Sequence, residues 1–245
     1  MASLKSYLRI LDTMLIAVNT RLLIKDKPEG IGRFAHETLK RIRASHREHE
    51  FIFLFDRQFD DQFIYTGNIT PIVLSPPARH PVLWYLWFEF SLSRFFKTAR
   101  PDLFLSPDGY LSLNSDVKSL PVIHDINFEH YPKSLPKLYS WYYRHYFPKY
   151  AAKAKRIATV SEFSKTDIAK TYSIASEKID VVYNGVSEGF NPLNDLTADA
   201  IREKYSAGAP YFLFTSTILE RKNIENLLKA FDEFRNNNSS NIKLV

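Results

Sequence analysis

Met14-Leu15-Ile16-Ala17-Val18 is a continuous apolar run with no polar residue at alternate positions. A strand with one wet face alternates, whereas a strand covered on both faces does not, so this run reads as a buried parallel strand. A polar loop follows over residues 19–29, then Gly30-Ile31-Gly32-Arg33, then a helical pattern over 34–43. Basic residues fill the last turn of that helix, where they suit the negative end of its dipole. The same order of strand, loop and helix recurs along the chain. Further strands are expected at 51–55, 71–74, 101–105, 120–123, 156–160 and 179–182. Apolar residues at 84, 87, 88, 92, 95 and 96 have the i, i+3, i+4 spacing of a helix face and predict a helix over 81–97. Helices are also expected over 137–152 and 162–171, the last with Ser161 as its N-cap. Strands alternating with helices define an α/β fold built on a parallel sheet.

The first Rossmann-like domain is placed at 14–192. Residues 193–210, with their Asp, Asn, Pro and Gly, read as an interdomain linker. Residues 211–245 read as the start of a second Rossmann-like domain: a strand at 211–214, a helix at 224–234, a polar turn at 236–241 and a strand from 242. Residues 1–13 read as a leader or N-terminal extension, because Met14 opens the first strand directly; with neither a long apolar core nor a small-residue cleavage site they do not read as a signal peptide.

Composition narrows the function classes. Zero cysteines exclude disulfides, thiolate zinc sites and cysteine nucleophiles, and are compatible with a cytoplasmic location. A net charge of +6 points to an anionic partner such as a nucleotide or a phospholipid surface. Nucleic acid is the weakest candidate, since no helix-turn-helix, zinc or RNA-binding signature occurs. The longest apolar stretch, 81–96, is interrupted by Glu89 and Arg94 and is too short to span a bilayer.

Three stretches carry candidate chemistry. Thr217-Ile218-Leu219-Glu220-Arg221-Lys222-Asn223 lies between a strand and a helix start. A helix N-terminus offers free N–H groups and partial positive charge, and Arg221 and Lys222 add full charges suited to a diphosphate. Read alone, the pair is equally a solvated surface loop. Gly30-x-Gly32 opens a helix and lets backbone approach an anion, but Ala35 occupies the third glycine position, so the dinucleotide fingerprint fails. His124-Asp125 falls at the C-terminal end of a strand, where open α/β sheets bind ligands. His124 can donate to a sugar hydroxyl or move a proton. Asp125 either orients it or caps the turn. The aromatics Trp84, Trp87, Phe88, Phe95 and Phe96 read as core ahead of an acceptor or membrane-docking face, and for the Tyr-rich helix 137–152, with Arg144, His145 and Lys149, a carbohydrate wall or a lipid-headgroup face is the sharper reading beside ordinary packing.

Five motifs in register carry a family resemblance: Gly30–Arg33, Val122-Ile123-His124-Asp125, the stretch 156–167, the stretch 177–186 and Leu219–Asn223. Together they resemble the retaining glycosyltransferases of family four, which have the two-domain GT-B fold. The resemblance implies that Gly30, Gly32 and Arg33 face the interdomain cleft near the donor phosphates and the acceptor. It implies that His124 is the catalytic position against the transferred sugar, that Ser161 lines the cleft, and that Asn184 and Gly185 lie on the hinge side. It implies that Arg221 and Lys222 hold the donor diphosphate and stabilise the leaving nucleotide. No Asp-x-Asp metal signature occurs, which agrees with metal-independent transfer and no cofactor beyond the nucleotide-sugar substrate. The family's Glu-x7-Glu element would fall beyond Val245, so the second domain is expected to be only begun here.

The expected function is transfer of a hexose, mannose being the specific expectation, from a nucleotide-diphosphate sugar to a saccharide or lipid-linked acceptor. The setting would be cell-surface polysaccharide synthesis, in the cytoplasm at the inner face of the membrane with peripheral membrane contact. The competing reading is a non-catalytic acceptor-binding module or inactive remnant. A nucleotide-sugar epimerase is disfavoured by the failed glycine fingerprint and by the lack of a Tyr-x-x-x-Lys pair after a strand.

Overall fold

The computed structural model describes residues 13–25, 30–186, 190–238 and 240–245. The proposed leader therefore lies, apart from Thr13, outside the described residues. The chain forms two compact units that divide between Asn184 and Gly185.

The first unit is a parallel sheet with helices on both faces. Strands β1 (Leu15–Asn19), β2 (Glu50–Phe55), β3 (Ile69–Val73), β4 (Leu103–Ser106) and β5 (Ser119–Pro121) are ordered β3-β2-β1-β4-β5, every pair parallel. Strands β6 (Ile157–Thr159) and β7 (Ile179–Val181) form a parallel pair of their own. A parallel bridge between Val122 and Ala158, with Ile123 N–H donating to the Ala158 carbonyl at 2.9 Å, continues the sheet from β5 to β6. The strand expected at 120–123 is found at Ser119–Pro121, and just past it the Val122 N–H still donates to the Ser106 carbonyl of β4 at 2.8 Å while residues 122–123 also reach β6.

The continuous apolar runs are buried on both sides, as such runs require. In β2, Ile52 and Leu54 face one core, while Phe51, Phe53 and Phe55 face the other. Helix α1 (Gly30–Ser45) covers the second face with Ala35 and Leu39. The first face is covered by α2 (Pro81–Leu86), a π-helical turn over Trp87–Leu92, and α3 (Ser93–Ala99), together with α5 (Lys137–Lys153) and α6 (Glu162–Tyr172). Short α4 (Asn127–His130) precedes α5. Trp84, Trp87, Phe88 and Phe96 are buried here and Phe95 packs against them, so these aromatics are core. The carbohydrate-wall reading of the tyrosine helix is corrected for its inner side. Tyr142 and Tyr150 are buried and their hydroxyls meet at 2.9 Å, and Tyr143 accepts from Tyr110 at 3.1 Å.

In the second unit, α7 (Asp195–Ser206) occupies most of the span read as a linker. Its start signal lay in the sequence: Asn194 accepts from the Thr197 N–H at 2.9 Å as an N-cap. Strands β8 (Tyr211–Phe212) and β9 (Lys243–Leu244) pair in parallel around α8 (Ile224–Asn237). Phe231 and Phe234 of α8 lie against Phe212, with ring centroids 6.5 and 5.8 Å away.

Candidate functional site at the C-terminal edge of the sheet

The strand order reverses direction between β1 and β4. In a doubly wound sheet, loops leaving the C-terminal ends of strands on either side of such a point diverge and leave a crevice. Here those loops carry Thr20-Arg21 after β1 and Pro107-Asp108 after β4. Arg21 Nε donates to Asp108 Oδ2 at 2.7 Å, and both side chains are almost fully buried. Asn19 Nδ2 donates to Asp108 Oδ1 at 2.7 Å and Ser106 Oγ donates to the same oxygen at 3.0 Å. The Arg21 guanidinium lies 4.3 Å from the Tyr110 ring centroid. Burial works against the charge of Arg21, but Asp108 beside it outweighs that and holds the guanidinium above its ordinary pKa. Burial likewise pushes the Tyr110 hydroxyl well up. Sequence reading missed this network. The available signal was a cation two residues beyond a fully apolar strand and a Ser-Pro-Asp-Gly turn after β4.

His124 sits one strand further along the edge. Its Nε2 meets the Pro107 carbonyl at 2.9 Å. A carbonyl only accepts, so Nε2 is the donor, and in the tautomer that this bond selects the lone pair lies on Nδ1. The Phe34 ring of α1 meets the imidazole edge-on at 4.8 Å. Phe34 directly follows Arg33 and lies about one helical turn past Gly30, so the contact joins His124 to the start of α1. Gly30 and Arg33 are exposed, and Gly32 is buried. A Cβ at Gly32 would lie 2.6 Å from the Leu22 carbonyl oxygen, so this glycine lets the helix approach the β1 loop, whereas Gly30 has nothing within 4 Å.

Asp125 is exposed and its Oδ1 accepts from the Asn127 N–H at 3.0 Å, which makes it the turn cap and not the orienter of His124. Ser161 caps α6 by accepting from the Ser164 N–H at 3.1 Å, and its hydroxyl donates to Ser164 Oγ at 3.0 Å. Ser164 in turn donates to the His124 carbonyl at 3.0 Å. Ser161 thus reaches His124 through one intermediary. Asn184 and Gly185 are exposed and flank the division between the units.

Arg221 and Lys222 belong to the second unit and are described within it. They form a 3-10 turn, Glu220–Lys222, ahead of α8. Asn223 takes a left-handed conformation with φ 54°, and no side chain caps the helix. The first-turn N–H groups of α8 are thereby left without a side-chain acceptor. Neither Arg221 nor Lys222 forms an ion pair among the described residues.

The described residues hold one group with metal-ligand spacing, His46, Glu48 and His49, whose ligand atoms lie within 4.8 Å of one another. It precedes β2 and so lies at the opposite end of the strands from the crevice. No helix among the described residues is long and apolar enough to cross a membrane.

A family model described as Glycosyltransferase Family 4 matches residues 28–189. The chain is 25% identical over 221 residues to the O-antigen chain mannosyltransferase B of Escherichia coli, covering 85% of this chain and 57% of that protein. It is 29% identical over 165 residues to the O-antigen chain mannosyltransferase RfbU of Salmonella typhimurium, covering 66% of this chain and 42% of that protein. The chain thus spans about half the length of these relatives. Among solved structures, Anabaena Alr3699/HepE in complex with UDP and glucose superposes with a TM-score of 0.60 at 14% identity, covering 94% of this chain and 60% of that one. The α/β architecture is of the GT-B type.

Proposed function

Because the chain belongs to Glycosyltransferase Family 4, we propose that it takes part in transferring a hexose, with retention of configuration, from a nucleotide-diphosphate sugar to a saccharide or lipid-linked acceptor. The hexose is assigned as mannose, following the two O-antigen mannosyltransferases it is similar to, and the setting as cell-surface polysaccharide synthesis.

The observation that carries the reading is the Arg221-Lys222 turn before the uncapped start of α8. A leaving nucleoside diphosphate gains negative charge as the glycosidic bond breaks, and preorganised donors aimed at that charge lower the barrier. Two cations with no carboxylate partner supply this, so no metal is assigned. His124 is assigned to the transferred sugar, where its Nδ1 lone pair accepts from a hydroxyl.

The acceptor side is assigned to the first unit, docked on the cytoplasmic face of the membrane. Phe90, Tyr85, Tyr146 and Trp141 form a connected aromatic strip, with neighbouring ring centroids 5.7, 6.1 and 6.2 Å apart. Phe90 and Trp141 are each 55% exposed. Lys149 lies 5.7 Å above the Tyr146 ring and Trp141 stacks on His145. Trp and Tyr flanked by basic residues suit the headgroup layer of an anionic bilayer.

The test is calorimetric titration of GDP and UDP into the chain and its Lys222→Ala variant. Loss of one charge-assisted contact is expected to weaken the preferred nucleotide about tenfold. Equal affinities for both proteins would overturn the donor assignment.

A further inference from the structure

A cavity of about 250 Å³ opens beside the switch-point crevice, at the C-terminal ends of β1 and β2. Three arginines line it, Arg21, Arg57 and Arg79, against Leu22, Ile24 and Trp84. The hydrogen bonds around it leave a surplus of one kind. Asp56, the residue after β2, accepts from Arg57 Nε at 2.7 Å, from Arg57 Nη2 at 2.6 Å and from the Ala78 N–H at 2.7 Å. Asp108 is occupied by Arg21, Asn19 and Ser106. The Ala78 carbonyl accepts from Trp84 Nε1 at 2.8 Å. The same carbonyl takes Arg21 Nη1 at 3.4 Å, so the Asp56 and Asp108 carboxylates and the Ala78 carbonyl are all engaged.

The donors are not. Each guanidinium carries five N–H bonds in a fixed fork. Arg57 uses only Nε and Nη2, and Arg79, which is exposed, makes no ion pair among the described residues. Among the described residues, two carboxylates against three guanidiniums leave one positive charge uncompensated. A cavity with spare guanidinium donors and surplus positive charge favours a group that accepts and is negatively charged. The forks of Arg21 and Arg57 are fixed by their carboxylates before any ligand arrives, which lowers the ordering cost of binding. Planar forks match phosphoryl oxygens in bidentate fashion.

We propose that this arginine-lined cavity binds a phosphoryl group of the acceptor. The word acceptor rests on the glycosyltransferase reading; the phosphoryl selectivity rests on the cavity alone. The placement fits an acceptor that carries a phosphoryl group on a lipid. Trp84 of α2 walls the cavity, and the next residue, Tyr85, belongs to the exposed aromatic strip. One short helix thus joins the phosphoryl site to the surface assigned to the bilayer.

The experiment titrates inorganic pyrophosphate, decyl diphosphate, and GDP or UDP into the chain, each by calorimetry. Arg79→Ala, at an exposed side chain, is expected to weaken pyrophosphate and decyl diphosphate about tenfold. Arg94→Ala, a surface cation away from the cavity, is expected to leave both unchanged. Unaltered binding by Arg79→Ala, or equal weakening by Arg94→Ala, would overturn the site. Weakening of the nucleotides by Arg79→Ala, with decyl diphosphate unaffected, would assign the cavity to the donor and overturn the acceptor assignment. Decyl diphosphate binding that depends on Arg79, in a chain whose GDP and UDP binding is indifferent to Lys222→Ala, would overturn the donor assignment and leave the site standing.

Discussion

Replacing Asp108 by Asn tests how the crevice is held together. The substitution keeps the shape and one acceptor oxygen for Asn19, but removes the charge facing Arg21. The two side chains are 4% and 7% exposed, and their Nε–Oδ2 distance is 2.7 Å. Removing one member of such a pair strands the other charge away from water, at a cost of about 3–5 kcal/mol. The aromatic faces of Tyr110, Trp84 and Phe88 lie 4.3, 5.6 and 5.8 Å from the guanidinium carbon and stay in place, so they do not offset the loss. The assay is urea unfolding followed by tryptophan fluorescence. All three tryptophans, Trp84, Trp87 and Trp141, belong to the first unit, so the signal reports that unit. With a urea dependence of about 2 kcal/mol per molar, the midpoint should fall by about 1.5–2.5 M. Replacing the pair together, Arg21→Met with Asp108→Leu, should recover much of that fall, because no charge is then left buried. A midpoint shift under about 0.5 M for Asp108→Asn would refute the reasoning, since Arg21 would then have found water or another partner.

Gly32→Ala drives a methyl group into the Leu22 carbonyl and should cost about 1–3 kcal/mol in thermal or chemical unfolding, while Gly30→Ala, in open space, should be neutral or stabilising. His124→Ala in the active protein should lower kcat more than it raises KM for the donor; an unchanged kcat would remove His124 from the reaction. Phe90→Ser with Trp141→Ser should reduce sedimentation with vesicles containing anionic lipid while leaving the melting temperature unchanged, because both side chains are already exposed. Treatment with EDTA should leave sugar transfer unaltered, and a loss restored by a divalent cation would show that Arg221 and Lys222 do not suffice for the leaving group.

Periodicity made the sheet legible. Strands buried on both faces are written as unbroken apolar runs, and β1, β2 and β4 were recognisable for that reason. Helix α7 was not, because its only sharp signal is the Asn194 cap inside a stretch otherwise composed like a loop. His124 was singled out because ligand chemistry concentrates at strand ends, and a histidine there stands out. Arg21 and Asp108 were not found because their meaning is a contact across 87 residues of sequence. Nothing local marks an arginine as destined for burial. The same applies to Asp56 and Arg57, which look like an ordinary polar turn until the cavity places Arg79 opposite them. Asp125 shows the converse: the sequence left it either orienting His124 or capping the turn, and its carboxylate accepts from the Asn127 N–H as a turn cap.

The histidine has little freedom of its own. Its imidazole is tethered to the β4 loop at Pro107, its carbonyl to Ser164 of α6, and the carbonyl before it to Thr159 of β6 at 2.7 Å. Three separate segments therefore hold one residue, and the lone pair at Nδ1 points along a single fixed line. A hydroxyl that is to use it has to arrive along that line. If His124 meets the transferred sugar as proposed, two sugars that differ only in the axial or equatorial setting of one hydroxyl would differ in how they reach the nitrogen. Stereochemical choice at this position would act as a fixed gauge reads a length, with the selectivity built into the backbone that carries the ring.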